Sequence, residues 1–139
     1  ILGTIPTTPK ELQLDLRLLM FGFEECRQYC LAQLASREDF PFGPDTYVYK
    51  TGDKIFAILA EQDGIARVNL KSDPTEALML RQMFSAITPG YHMNKQHWNT
   101  IVLDDTVPMG ELQRQIENSW RLVQLSLPKA KRVIAPVTK

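Results

Sequence analysis

The sequence predicts an α+β two-layer sandwich, an antiparallel sheet with α-β3-α-β2-α order, behind an N-terminal extension. Three observations carry this. Strand signals crowd into residues 46–71, with Asp63-Gly64 as a hairpin turn between two of them. Asp73-Pro74-Thr75-Glu76 is a capping box with Pro at the first helical position. A chain of 139 residues, 44% hydrophobic and 23% charged, is one domain's worth and needs no disulfide or metal staple.

Residues 1–22 read as an extension. Thr8-Pro9-Lys10-Glu11 matches a capping box, and Leu12, Leu16, Leu19 and Phe23 follow helical spacing. Leu12, Leu14, Leu16 and Leu18 also alternate as a strand would, so both readings stay open; the helix is favoured, with Gly22 as its end or a break. A helix follows from about Phe23 to Ala35, with Phe23, Cys26, Cys30 and Leu34 on one face. Arg37 to Asp45, with Pro41-Phe42-Gly43-Pro44, is expected to be a loop.

Thr46 to Lys50 is β-branched and aromatic, and Thr51-Gly52-Asp53 turns the chain. Lys54 to Glu61 is the most apolar strand. Ile65 to Lys71 returns, with Ala66, Val68 and Leu70 facing one way and Arg67, Asn69 and Lys71 the other. One sheet face is therefore expected to be buried under helices and the other to be polar and partly basic. After Asp73-Pro74 a helix with the stripe Ala77, Leu80, Phe84 and Ile87 runs to Thr88-Pro89-Gly90. Tyr91 to Met93 and Trp98 to Leu103 look like short strands joined by Asn94-Lys95-Gln96. The last helix runs from near Pro108 to about Ser126 on the face Leu112, Ile116, Trp120, Val123 and Leu127, and Pro128 stops or kinks it.

Net charge is zero but unevenly spread. Residues 1–63 carry six basic and ten acidic side chains, and residues 64–139 carry ten and six. After Glu117 there is no acid, whereas Arg121, Lys129, Lys131, Arg132 and Lys139 are basic. A basic half can meet a polyanion locally, although zero net charge argues against tight nonspecific DNA affinity. Cys26 and Cys30, four apart, fit a redox pair or half a metal site, but two small buried apolar residues are the preferred reading. No apolar run is long enough to cross a bilayer and no secretory leader stands at the start, so a cytoplasmic protein without membrane contact is expected. The start at Ile1 fits a trimmed terminus or a beginning inside a longer frame.

Three blocks then speak more specifically: Phe40-Pro41-Phe42-Gly43-Pro44-Asp45, then Arg67-Val68-Asn69-Leu70-Lys71 with Asp73-Pro74, then Pro89-Gly90-Tyr91-His92-Met93-Asn94-Lys95 with His97-Trp98-Asn99-Thr100. In order and spacing they resemble the YjbR/MmcQ-like family. The likeness covers residues 23–132, leaving 1–22 as an extension and 133–139 as a basic tail. It implies a compact two-layer domain in the same element order, similar to type III secretion chaperones and to the CyaY (frataxin) fold. It also implies DNA binding through a double-wing arrangement of hairpins, with no enzymatic activity and no cofactor.

The candidate contact residues are Arg67, Asn69 and Lys71 on the polar strand face and Tyr91, His92, Lys95, His97 and Asn99 around the hairpin. Cations can meet phosphates, amides can read base edges and aromatics can stack on bases. The bland alternative makes the strand residues a solvated face, Trp98 a hairpin anchor, and Asn94 a residue tolerating positive φ in a tight turn. His92 and His97 could face each other across the hairpin, but a metal site needs further ligands and none has a recognisable spacing. No phosphate-cradling glycine loop, nucleophile elbow or HExxH helix is present, so no catalytic residue is expected. A non-enzymatic DNA-binding domain is the first expectation. A protein- or peptide-binding module, with a homodimer as one form of it, is the second.

Overall fold

The computed structural model describes residues 20–90 and 93–134. Among these residues six strands form one antiparallel sheet, with three helices packed on one face. In chain order these are α1 (Phe23–Leu31), β1 (Ser36–Asp39), β2 (Thr46–Thr51), β3 (Lys54–Gln62), β4 (Ile65–Lys71), α2 (Pro74–Met83), β5 (Ile87–Pro89), β6 (Trp98–Val102) and α3 (Met109–Ser126), with a 3-10 turn at Lys129–Lys131. The strand order is β1-β2-β3-β4-β6-β5. The expected two-layer α+β architecture is what the chain adopts.

Register divides the sheet into two faces. Tyr47, Leu59, Val68, Ile101 and Ile87 stand opposite one another in one cross-strand row, and Tyr49, Ala57, Leu70 and Asn99 in the next. These rows face the helices, whose Cys26, Cys30, Leu80, Leu112, Ile116 and Val123 complete the core. Each fully buried large apolar side chain contributes about 1.5–3 kcal/mol relative to exposure. The free cysteines are wholly buried. Hydrogen bonding to Cys26, then burial, pushes the Cys30 thiol well above its ordinary pKa, so the pair behaves as core.

Local chemistry sets the ends of the elements. Asp63 and Gly64 both have positive φ, the type I′ geometry that matches strand twist, and Gln62 pairs Ile65 directly across that turn. Asp73 caps α2 by accepting from the N–H groups of Thr75 and Glu76 at 3.0 and 3.3 Å. The reciprocal half of the expected capping box is absent, because Glu76 pairs instead with Arg114 of α3 at 2.7 Å.

Three expectations need correction. Ser36–Asp39 is strand, not loop, so four strands precede α2 rather than three. Its edge position and charged composition hide it from hydrophobic periodicity. The first helix stops at Leu31, Ala35 takes a positive φ of 57°, and Leu34 is 63% exposed rather than on the buried face. Finally, α2 ends at Met83, so Ile87 belongs to a strand of the second hairpin that lies earlier than predicted, at Ile87–Pro89. The readings made for residues 1–19, for Tyr91 and His92 and for the end of the basic tail lie outside the described residues. Among the described residues no helix is long and apolar enough to cross a membrane.

Candidate functional site

Helices cover one face of the sheet, and the other carries a groove of about 1040 Å³. Its floor follows from register. Ile58, Asn69, Thr100 and Thr88 form one cross-strand row, and Thr46, Ala60, Arg67 and Val102 the next. All five strands from β2 to β5 contribute lining, which spans four strand intervals, about 19 Å. Phe42, 64% exposed, stands at the rim on the loop before β2; Met93 and Lys95 line the groove from the loop before β6.

This face is less polar than the alternation of β4 predicts. β4 supplies Arg67 and Asn69, as expected, but β3 supplies Ile55, Ile58 and Ala60. The result, among the described residues, is an apolar floor with two cations, Arg67 and Lys95, and no carboxylate in the lining. The Asn69 amide oxygen accepts from the Thr100 hydroxyl, which leaves its N–H groups directed elsewhere.

The loop that carries Lys95 is ordered by its own chemistry. The Asn94 side chain accepts from the Gln96 N–H at 2.9 Å, and its carbonyl accepts from the N–H groups of His97 and Trp98 at 3.1 and 2.9 Å. Asn94 is therefore structural, but through this Asx-type turn rather than through the positive φ expected of it. Gly90 donates to the Trp98 carbonyl at 2.8 Å and closes the hairpin. The ladder approaches so closely there that a Cβ on Gly90 would lie 2.9 Å from that of Trp98.

The predicted contact residues separate. Arg67, Asn69 and Lys95 converge on the groove. Lys71 shares β4 with Arg67 and Asn69 but lies outside the lining. His97 is half-buried, and its carbonyl accepts from the Ser72 N–H at 2.8 Å. Asn99 is corrected outright. It is 1% exposed on the helix side, donates to the Ala77 carbonyl at 3.2 Å and accepts from Arg81 Nε at 2.7 Å, so it cannot touch a ligand in the groove. Tyr91 and His92 lie outside the described residues. Among the described residues no three His, Cys, Asp or Glu side chains gather as metal ligands.

The sequence reading missed Phe42, Ile58, Met93 and Thr100. One signal pointed to Ile58: β3 is apolar on both faces, and helices can bury only one.

A family model described as YjbR matches residues 31–122, about two thirds of the chain. The chain belongs to the YjbR family. The YjbR-family domain is 32% identical over 108 residues to the YjbR protein of Escherichia coli strain K12, covering 78% of this chain and 92% of that one. It is 42% identical over 90 residues to the YbdF protein of Escherichia coli O157:H7, covering 65% and 74%. Both relatives are described as uncharacterized. Among solved structures, protein DR2400 of Deinococcus radiodurans superposes with a TM-score of 0.73 at 37% identity, over 79% of this chain and 84% of that one. A Pseudomonas syringae protein gives 0.61 at 29% identity, over 69% and 93%. Membership in the YjbR family accounts for the fold, and the ligand must be argued from the groove.

Proposed function

We propose that this YjbR-family domain is a non-enzymatic binding domain that receives a single strand of DNA across its open sheet face. The observation that carries the reading is the groove lining: among the described residues, an apolar floor, two cations and no carboxylate. Phosphates would meet Arg67 and Lys95, bases would lie against Ile58, Ala60 and the exposed ring of Phe42, and Asn69 would offer amide hydrogens to a base edge. Single-stranded rather than duplex DNA suits this surface, because stacking needs unpaired bases and a duplex would need more cations than two. The test is fluorescence anisotropy with a labelled single-stranded oligonucleotide at low salt. Wild type should bind, and the double variant R67A/K95A should bind at least tenfold more weakly. No anisotropy change with wild type would sink the reading.

A second reading, a protein- or peptide-binding module with a second copy of the chain as one such partner, draws on a different surface. Leu78, Met79 and Met83 on α2 are 54, 54 and 65% exposed, and Met79 and Met83 border a groove of about 560 Å³ with Phe84 and Pro108. Adaptable methionines on an open helix face suit apolar partner surfaces. Light scattering decides the homodimer form: a dimeric mass that M79D/M83D converts to a monomer would favour it, and a monomeric wild type would remove it.

A further inference from the structure

We propose that Arg81 is a positioning residue for the groove, holding the Lys95 loop in place from the opposite side of the sheet. This rests on the groove being the binding surface, although the clamp itself is tested without any ligand. Arg81 lies on α2, on the helix side, and its guanidinium bridges two acceptors. Nε donates to Asn99 Oδ1 at 2.7 Å and Nη2 donates to the Lys95 carbonyl.

The loop needs such a tie. The β5–β6 register ends at Pro89 and Asn99, and the Gly90-to-Trp98 hydrogen bond adds one rung beyond it. Past that rung the Asn94 turn organises the tip internally and ties Asn94 back to Trp98 at the start of β6, but it leaves Lys95 unheld. Besides the Trp98 N–H to Asn94 carbonyl bond at 2.9 Å, two bonds among the described residues connect residues 94–97 to the body of the domain: Ser72 N–H to the His97 carbonyl at 2.8 Å, and Arg81 to the Lys95 carbonyl. Only the second grips the residue whose side chain lines the groove.

Asn99 makes the clamp directional. Its amide nitrogen donates to the Ala77 carbonyl of α2, so its oxygen must face Arg81. The amide is buried on β6, and with Oδ1 fixed, the planar guanidinium has one orientation that satisfies both acceptors. A lysine ammonium at position 81 keeps the charge but is a point donor on a flexible stem, and it cannot reproduce that fork. Thus two residues with no access to the groove determine where Lys95 stands over it.

The experiment compares wild type, R81A, R81K and, as a control, R114A, an exposed cation on α3 paired with Glu76 and Glu111. Backbone amide exchange is followed residue by residue without ligand. The same proteins are then titrated with labelled single-stranded oligodeoxythymidine. R81A should speed exchange of residues 94–98 by about tenfold while β3 and β4 keep their protection, with R81K intermediate and R114A unchanged in the loop. Oligonucleotide affinity should fall in the same order. Unchanged loop exchange in R81A overturns the proposal. An equal rise through β3 and β4 also overturns it, because Arg81 would then hold the fold and not the loop. A faster loop with undiminished affinity overturns the positioning role. If wild type binds no oligonucleotide, the DNA reading fails while the exchange data still decide the clamp.

Discussion

The Ser119 hydroxyl on α3 donates to the carbonyl of Phe56 on β3 at 2.6 Å. It also accepts from the Lys71 N–H on β4 at 2.8 Å, so one side chain fills a gap between two strands. The gap is the open end of the β3–β4 ladder: Ala57 pairs Leu70, and Phe56 and Lys71, the next residues along, are outside that register. Ser119 is wholly buried, and no other residue of α3 repairs that opening.

Ser119→Ala should therefore leave a buried carbonyl and a buried N–H without partners. Its expected cost is about 2–6 kcal/mol, from about 1–3 for each of the two orphaned groups. Urea unfolding reads it as a lower midpoint at unchanged slope. A loss below about 1 kcal/mol would mean that water or a shifted strand takes over the hydroxyl's bonds.

Alkaline pH should weaken the fold through two tyrosines. The Tyr29 hydroxyl donates to Glu117, and this bond, then burial, pushes its pKa from the ordinary 10.0 to about 12. Tyr49 is raised further, by burial first and then by the Glu38 carboxylate that its hydroxyl donates to at 2.8 Å. Both folded-state values exceed the unfolded ones, so their contribution is fully present below pH 10 and is lost as pH rises through the folded values. Stability should thus fall from about pH 10 upward. A tyrosinate absorbance titration should show Tyr29 ionising near pH 12 and Tyr49 only as the fold is lost. Y29F should remove the step near pH 12, and ionisation of Tyr29 and Tyr49 near pH 10 would contradict the environments described.

Gly90→Ala tests the close approach of the second hairpin. Besides the Trp98 Cβ, an added methyl would meet the Trp98 carbonyl oxygen at 3.2 Å and its carbon at 3.3 Å, and backbone cannot swing aside. Overpacking of this kind costs about 1–3 kcal/mol. Thermal unfolding should register the loss, and the indole fluorescence of Trp98 should shift as β5 and β6 separate. A neutral substitution would place the strands farther apart than they stand.

How far the sequence could be read depended on which force set each element. The last helix was legible almost to the residue, since Leu112, Ile116 and Val123 repeat at helical spacing and are all buried. Asp63-Gly64 was legible because few residue pairs accept positive φ twice in succession. β1 was not, because Ser36, Arg37, Glu38 and Asp39 have no apolar rhythm. Its place is held by distant chemistry, with Glu38 accepting from Tyr49 and Arg27. Asn99 and Asn69 look alike as sequence. One residue of register separates a wholly buried amide from one on the open face, and only strand pairing decides which is which.

The groove's floor and its cations should separate experimentally. If phosphates meet Arg67 and Lys95, each neutralisation should reduce the magnitude of the slope of log affinity against log salt by about 0.7 for a single strand. Ile58→Thr keeps a β-branched residue in a half-buried position of β3, so the sheet should tolerate it within about 1 kcal/mol. It would nevertheless remove apolar surface from beneath the bases. Its affinity should fall by several-fold while the salt slope stays at the wild-type value. The pattern is diagnostic because K95A would change slope and affinity together, whereas I58T would change affinity alone. If I58T flattened the slope as K95A does, or left affinity untouched, the strand would be held at its phosphates only. The apolar floor between β2 and β6 would then have no part in binding it.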